Sequence, residues 1–216
     1  MFIGHFGVAL AAKKLTPRTS LGSLFFAAQF LDLLWPILLL AGLEHVRIAP
    51  GITRMSPFDF YDYPITHSLL TAAFWSVVVG SGYYLLRRNG RAAWIMGLAV
   101  LSHWVLDFLV HRPDLPLWPG GPKVGLGLWN SWIPEIFVEV AILVIGCWLY
   151  FSVTRPRDNI GRYASWALLV FLSVGWVASL VAGAPPNERS MARGGLSMWM
   201  VVPWAWWADR HREPIV

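Results

Sequence analysis

Charge is what this chain of 216 residues has least of: 13% is Asp, Glu, Lys or Arg, against 56% hydrophobic residues. A water-soluble domain carries roughly 25% charged residues. There is too little charge here to cover a surface facing water, which excludes a soluble globular domain and leaves an integral membrane protein. Irregular backbone cannot face lipid, so the spans must be helices. Cysteine is nearly absent too. Cys147, the single one, lies inside an apolar run, so no intrachain disulfide is expected. The amino end lacks the order of a secretory signal, because Lys13 and Lys14 follow the first apolar run instead of preceding it. With no internal repeat, low-complexity tract or soluble second domain in view, residues 1–216 read as a single integral membrane domain. The net charge of +5 does not point to nucleic acid, because the Lys and Arg sit in short loops that set topology. Fourteen Trp suit the interfacial belts of a membrane protein.

The apolar runs predict an all-α, polytopic transmembrane helix bundle. It has about five full spans plus short N-terminal and C-terminal helices. Met1 to Ala12 is apolar but short; a helix of that length reaches about 18 Å, against a hydrocarbon core of roughly 30 Å. It reads as a half-spanning or tilted helix carrying His5. Ser20 to Leu43 is a full span with Asp32 near its middle, and Pro36 is expected to bend it and free a carbonyl beside Asp32. Glu44 to Ile65 is a polar loop rich in aromatic residues. Thr66 is the expected N-cap of the next span, which places His67 in its first turn. After the basic turn Arg87–Arg91, Ala92 to His111 forms a span. Arg112 to Asn130 is a rigid, turn-rich loop. Trp132 to Val153 is a span with Glu135 and Glu139 one turn apart, and Tyr163 to Ala182 is the last full span. Pro185 to Arg193 reads as a hydrophilic loop, and Trp-rich Leu196 to Ala208 as an interfacial helix or short tilted span.

His103, Asp107 and His111 recur at i, i+4 and i+8 and share one face of an otherwise greasy helix. Ionisable groups at that depth are costly and mark a pathway or a site. Three loops, Lys13–Arg18, Arg87–Arg91 and Thr154–Arg162, are basic, and the positive-inside rule puts them in the cytoplasm. His5, Asp32, His67, His103, Asp107, His111, Glu135 and Glu139 then all fall at mid-depth or in the outer half, leaving the inner half free of such groups. Convergence from five segments favours a common site over packing. Eight groups exceed the three protein ligands of a catalytic zinc, so either two metals share a carboxylate or one metal has supporting carboxylates and a general base. Zinc, the expected divalent metal, would be held at His67, His103 and Asp107 with Asp32 and His5, and would lower the pKa of bound water towards neutrality. Glu139, one turn deeper than Glu135, is the candidate general base. His111 and Glu135 are expected to be solvated at the membrane surface, and Asp59, Asp62 and Asp114 to be turn residues.

The segments Gly4-His5, Phe30-Leu31-Asp32-Leu33-Leu34-Trp35-Pro36, Thr66-His67-Ser68-Leu69-Leu70, Ser102-His103 through Asp107, and Leu117-Trp118-Pro119 occur in this order. Together they resemble the bacterial inner-membrane, LexA-regulated family of metal-dependent hydrolases, over residues 1 to about 120. The resemblance implies a hydrolase in the inner membrane with a metal cofactor and says nothing of the substrate. The chain departs from the family's Asp-x-Asp-His before the proline, keeping only Asp32, with Leu34 and Trp35 at the other positions. The family's His-Arg-Gly is here Asp62-Tyr63-Pro64. A site at lipid depth implies membrane lipid as a neighbour and a lipid-like ester, phosphoester or amide as substrate, with no nucleic acid partner. The competing reading is a transporter or a proton or metal pathway using the same acids and histidines; the apolar inner halves count against it.

Overall fold

The structure is a computed structural model and describes residues 1–215. Its helices are α1 (Ile3–Leu15), α2 (Leu21–Ala28), α3 (Phe30–Leu40), α4 (Pro64–His67), α5 (Leu69–Arg87), α6 (Gly90–Val110), α7 (Trp132–Val153), α8 (Asn159–Val181), α9 (Glu188–Leu196) and α10 (Val201–Arg210). Three two-stranded antiparallel ribbons brace the loops. They pair β1 (His45–Ile48) with β2 (Phe58–Asp62), β3 (Leu115–Pro116) with β4 (Lys123–Val124), and β5 (Thr154–Pro156) with β6 (Arg212–Pro214). Helices α5 to α8 are each long and apolar enough to cross a membrane, and α2 with α3, bent by 55° between them, reach that length and apolarity as a pair. This is the polytopic bundle the sequence predicts, with the short α1, α9 and α10 at its ends.

Local sequence sets the helix ends. Ser20, Ser68, Asn89, Asp158 and Asn187 each turn a side-chain oxygen back onto a backbone N–H in the first turn of α2, α5, α6, α8 and α9. Arg88 closes α5 at a left-handed φ of 54°, and Asn89 opens α6 directly after it, so α5 and α6 form an antiparallel hairpin. Helix α1 lies along α7 at a close approach, where a methyl group on Gly146 would collide with the Gly7 carbonyl. Residues such as Val77, Ile133, Trp148 and Val174 turn outward from the bundle, as lipid-facing positions should.

Four expectations need correction. The bend in the second span falls at Gln29, not at Pro36, which sits inside α3 without breaking it. The break leaves the Ala28 carbonyl outside the helical ladder, where another helix uses it. Ser68, not Thr66, caps α5; Thr66 lies in the separate turn α4, because the extended backbone at Ser68 divides the two. The stretch read as a hydrophilic loop at 185–193 is largely helical, since Asn187 caps α9 at that point. Finally, buried ionisable groups are not confined to one end of the bundle. Lys13 is 3% exposed and is not part of a solvated basic turn. Its Nζ donates to Asp209 at 2.6 Å and to the Thr19 carbonyl at 2.8 Å. Leu21 N–H and the Tyr150 hydroxyl also donate to Asp209, and Arg212 donates to Thr154 and Gly161. These contacts tie α10 to the turn after α1.

Candidate metal centre

His5, His67, His103, Asp32 and Asp107 come together from four helices, α1, α4, α6 and α3, with His103 and Asp107 both on α6. The bend at Gln29 aims the Ala28 carbonyl at His103, whose Nδ1 lies 2.8 Å away. A carbonyl only accepts, so Nδ1 carries the proton and Nε2 faces the cluster. That Nε2 is buried and makes no hydrogen bond. It lies 3.2 Å from Asp107 Oδ2 and 3.6 Å from Asp32 Oδ1. His67 is fixed in the same manner. Thr66 spends its single hydroxyl proton on Glu44 Oε2 at 2.7 Å, so it accepts from His67 Nδ1 at 2.7 Å. His67 Nε2 then points at Asp32 Oδ1, 3.4 Å away, and at Asp107 Oδ2, 3.7 Å away. Trp104 Nε1 holds the His67 carbonyl at 2.9 Å. Burial pushes the Glu44 carboxyl upward, against the downward pull of His67 and of its hydrogen bonds from Thr66 and Ile65.

His5 comes from α1. Its ring stacks on His103 at 3.7 Å between centroids, with 1° between planes. His5 Nε2 meets Asp107 Oδ1 at 3.2 Å, and Nδ1 has no partner. Met1 N also donates to Asp107 Oδ1, at 2.8 Å. Two sets of ligand atoms are close enough to share a cation: His5, His103 and Asp107, and Asp32, His67 and His103. Both need His103, which has one free nitrogen. The two sets therefore compete for it, and one ion at a time can occupy that nitrogen. Imidazoles held at the far nitrogen by a carbonyl or hydroxyl are what a metal site needs to fix ligand orientation. A buried imidazole nitrogen without a partner fits a cation better than it fits a packing lock.

Glu139 is buried beside this cluster but belongs to neither set. Its two oxygens accept from Phe2 N and Gly4 N at 2.6 Å each, so it also anchors the amino end of the helix that carries His5. The expectation of a solvated His111 and Glu135 is overturned: they are 3% and 2% exposed. His111 packs under Phe60 and Trp129, and its Nδ1 lies 2.9 Å from Asp114 Oδ1. Asp114, also read as a turn residue, is buried and held by Arg112 Nε at 3.2 Å and the Tyr63 hydroxyl at 3.3 Å. Burial and the Asp114 charge push the Tyr63 hydroxyl well above its usual range. Asp59 pairs with Arg112, and Asp62 with His45. The sequence reading missed the Ala28 carbonyl, Glu44 and the orienting role of Thr66. Thr66 had a signal, being adjacent to a candidate ligand; the other two had none.

A helical bundle with membrane-length helices and a buried His/Asp cluster able to chelate a cation is an integral membrane protein with metal-binding capacity. The chain belongs to the family of the YdjM inner membrane protein, whose profile matches residues 1–184. That match takes in every residue of the cluster and stops before α9 and α10. No curated protein and no solved structure matches the chain.

Proposed function

We propose that this inner-membrane protein is a metal-dependent hydrolase, with zinc as its metal and a site opening to the extracytoplasmic side. The observation that carries this reading is the orphaned Nε2 of His103, presented among His5, His67, Asp32 and Asp107 by a carbonyl on its other nitrogen. A zinc ion held there would polarise a substrate carbonyl or phosphoryl oxygen and lower the pKa of water. His67 and His103 supply neutral imidazole nitrogens, and Asp32 and Asp107 supply the negative charge that offsets the ion's. Glu139 would be the group that accepts a proton from water at such a site. Its two amide hydrogen bonds fix it in place, and each carboxylate oxygen keeps a second lone pair. The substrate is a lipid-like ester, phosphoester or amide, because the cluster borders a cavity of about 730 Å³ walled mainly by apolar residues. The Lys13–Asp209 cluster contributes nothing to that cavity's lining, which favours hydrolysis over a polar pathway through the bundle.

Elemental analysis of the purified protein tests the reading. Stoichiometric zinc, lost in His103→Ala, is expected. Wild-type protein that holds no metal, and regains none from zinc or manganese, overturns it.

A further inference from the structure

The cavity extends well beyond the cluster. From Asp32, His67 and Asp107 it continues between α8 and α9, along Leu172, Trp176, Met191, Met198 and Val201. α8 packs chiefly on α10, and α9 on α3, so the two helices flank the space without filling it. The polar side chains along this arm are Ser179 and Ser197, and no charged side chain lines it. A charged or sugar-like group would lose its hydration there without a replacement, whereas a hydrocarbon chain would not. At the other end, next to the loop between β1 and β2, the wall carries Arg54. This is the one Lys or Arg in the cavity lining; it is exposed and forms no ion pair among the described residues. The cavity thus has one cationic side chain, Arg54, at its loop end, an apolar arm between α8 and α9, and between them a stretch of wall that carries Asp32, Asp107, Glu135 and Glu139 beside the histidines.

We propose that this cavity binds an anionic single-chain amphiphile, its head group towards Arg54 and its hydrocarbon chain between α8 and α9. The proposal names the substrate class for the hydrolase reading and rests on it for the chemistry; the binding itself does not require metal. Gly175 and Gly194 both line the arm, and a side chain started at either meets nothing within 4 Å at its first carbon. Phenylalanine at either position therefore starts without a backbone clash, and together the two substitutions probe the arm from α8 and from α9.

The experiment uses the full chain in zwitterionic lipid nanodiscs. The probe is a long-chain alkyl sulfonate with a diazirine at the chain tip, which has no hydrolysable bond. The tip should label peptides between residues 171 and 198. Gly175→Phe and Gly194→Phe should each cut that labelling about tenfold, with Gly175→Ala as the control that leaves room for the chain. Arg54→Glu should cut labelling by the sulfonate about tenfold and not labelling by a matched alkyl trimethylammonium probe. Labelling spread over the lipid-facing side of α5, or unchanged by both phenylalanines, overturns the proposal. So does equal use of the cationic probe by the wild type. Metal content measured on the same samples separates the two readings. Zinc-loaded protein that fails to label overturns the amphiphile alone, and metal-free protein that labels in the arm overturns the hydrolase alone.

Discussion

Asp107 and Asp209 are both buried carboxylates reached by cationic or imidazole groups from other helices, and α1 contributes to each, through His5 at one end and Lys13 at the other. Their neighbourhoods close differently. Around Asp209 the charged atoms of Lys13 and Arg212 all have partners, and the Tyr150 hydroxyl and Leu21 N–H complete the carboxylate's bonding. Around Asp107, His103 Nε2 and His5 Nδ1 have none, and a cavity runs alongside. Burial and charge do not tell these clusters apart. What separates them is whether the polar atoms are used up. A saturated cluster holds helices together; one with spare lone pairs, whose neighbours Asp32, His67 and Asp107 line a cavity, has room for a further partner.

The comparison breaks most visibly at the ligands themselves. His103→Ala should abolish metal binding, and with it the rise in unfolding temperature that wild-type protein shows when zinc is added. At a hundredfold excess of zinc over its Kd that rise represents about 2.7 kcal/mol. A variant still stabilised by zinc as much as the wild type would remove His103 from the site. Asp209→Ala should do the reverse. It leaves Lys13 buried without its partner and should cost about 3–5 kcal/mol of stability, while zinc stoichiometry in the protein that remains folded stays unchanged. Lys13→Met combined with Asp209→Leu should recover most of that loss. Loss of zinc in the folded fraction of Asp209→Ala would show the two clusters are not independent.

Glu139 stands between the two kinds of cluster, since it borders the site and also anchors a helix. Glu139→Gln keeps the shape but turns an amide N–H₂ towards Phe2 N or Gly4 N, where a donor meets a donor. If Glu139 handles the proton, turnover of a cleavable model amphiphile falls by roughly 10²–10⁴ with zinc retained. If its work is only to set α1 and thereby His5, zinc affinity falls along with turnover. Unchanged turnover would remove Glu139 from the chemistry.

The sequence made the helical spans legible because apolar length is a one-dimensional property. It also brought His5, Asp32, His67, His103 and Asp107 to one depth, since the spacing of His103 and Asp107 on α6 and the lengths of the spans fix their height. Two things were illegible for physical reasons. The bend at Gln29 falls where no breaker residue marks it, and Pro36, the residue with breaking propensity, sits in an intact helix. The saturation that distinguishes Lys13–Asp209 from the His/Asp cluster depends on partners about two hundred positions away along the chain. Charge patterning therefore reads Lys13 as part of a basic turn when it is a buried strut.

The smallest effect, and the one that tests the orientation argument most directly, is at Thr66. Its hydroxyl accepts from His67 Nδ1 and donates to Glu44 Oε2, so it sets which His67 nitrogen faces Asp32 and Asp107. Thr66→Val keeps the branched shape and removes the relay, leaving His67 Nδ1 and one Glu44 oxygen without that partner. Loss of such a supporting hydrogen bond weakens metal binding by about 10–100-fold. Thr66→Ser should restore it, because the hydroxyl returns without the methyl. The matching change in the saturated cluster is Thr154→Val. Thr154 Oγ1 accepts from Arg212 Nε and donates to the Tyr150 carbonyl. Its removal should lower stability by about 1–3 kcal/mol and leave zinc affinity where it was. Both affinities follow from competition with a chelator of known strength, and both stabilities from thermal unfolding in detergent. Zinc bound as tightly by Thr66→Val as by the wild type would mean that His67 is not held for a metal by this relay. The contrast between a cluster with spare lone pairs and a saturated one would then rest on His103 and His5.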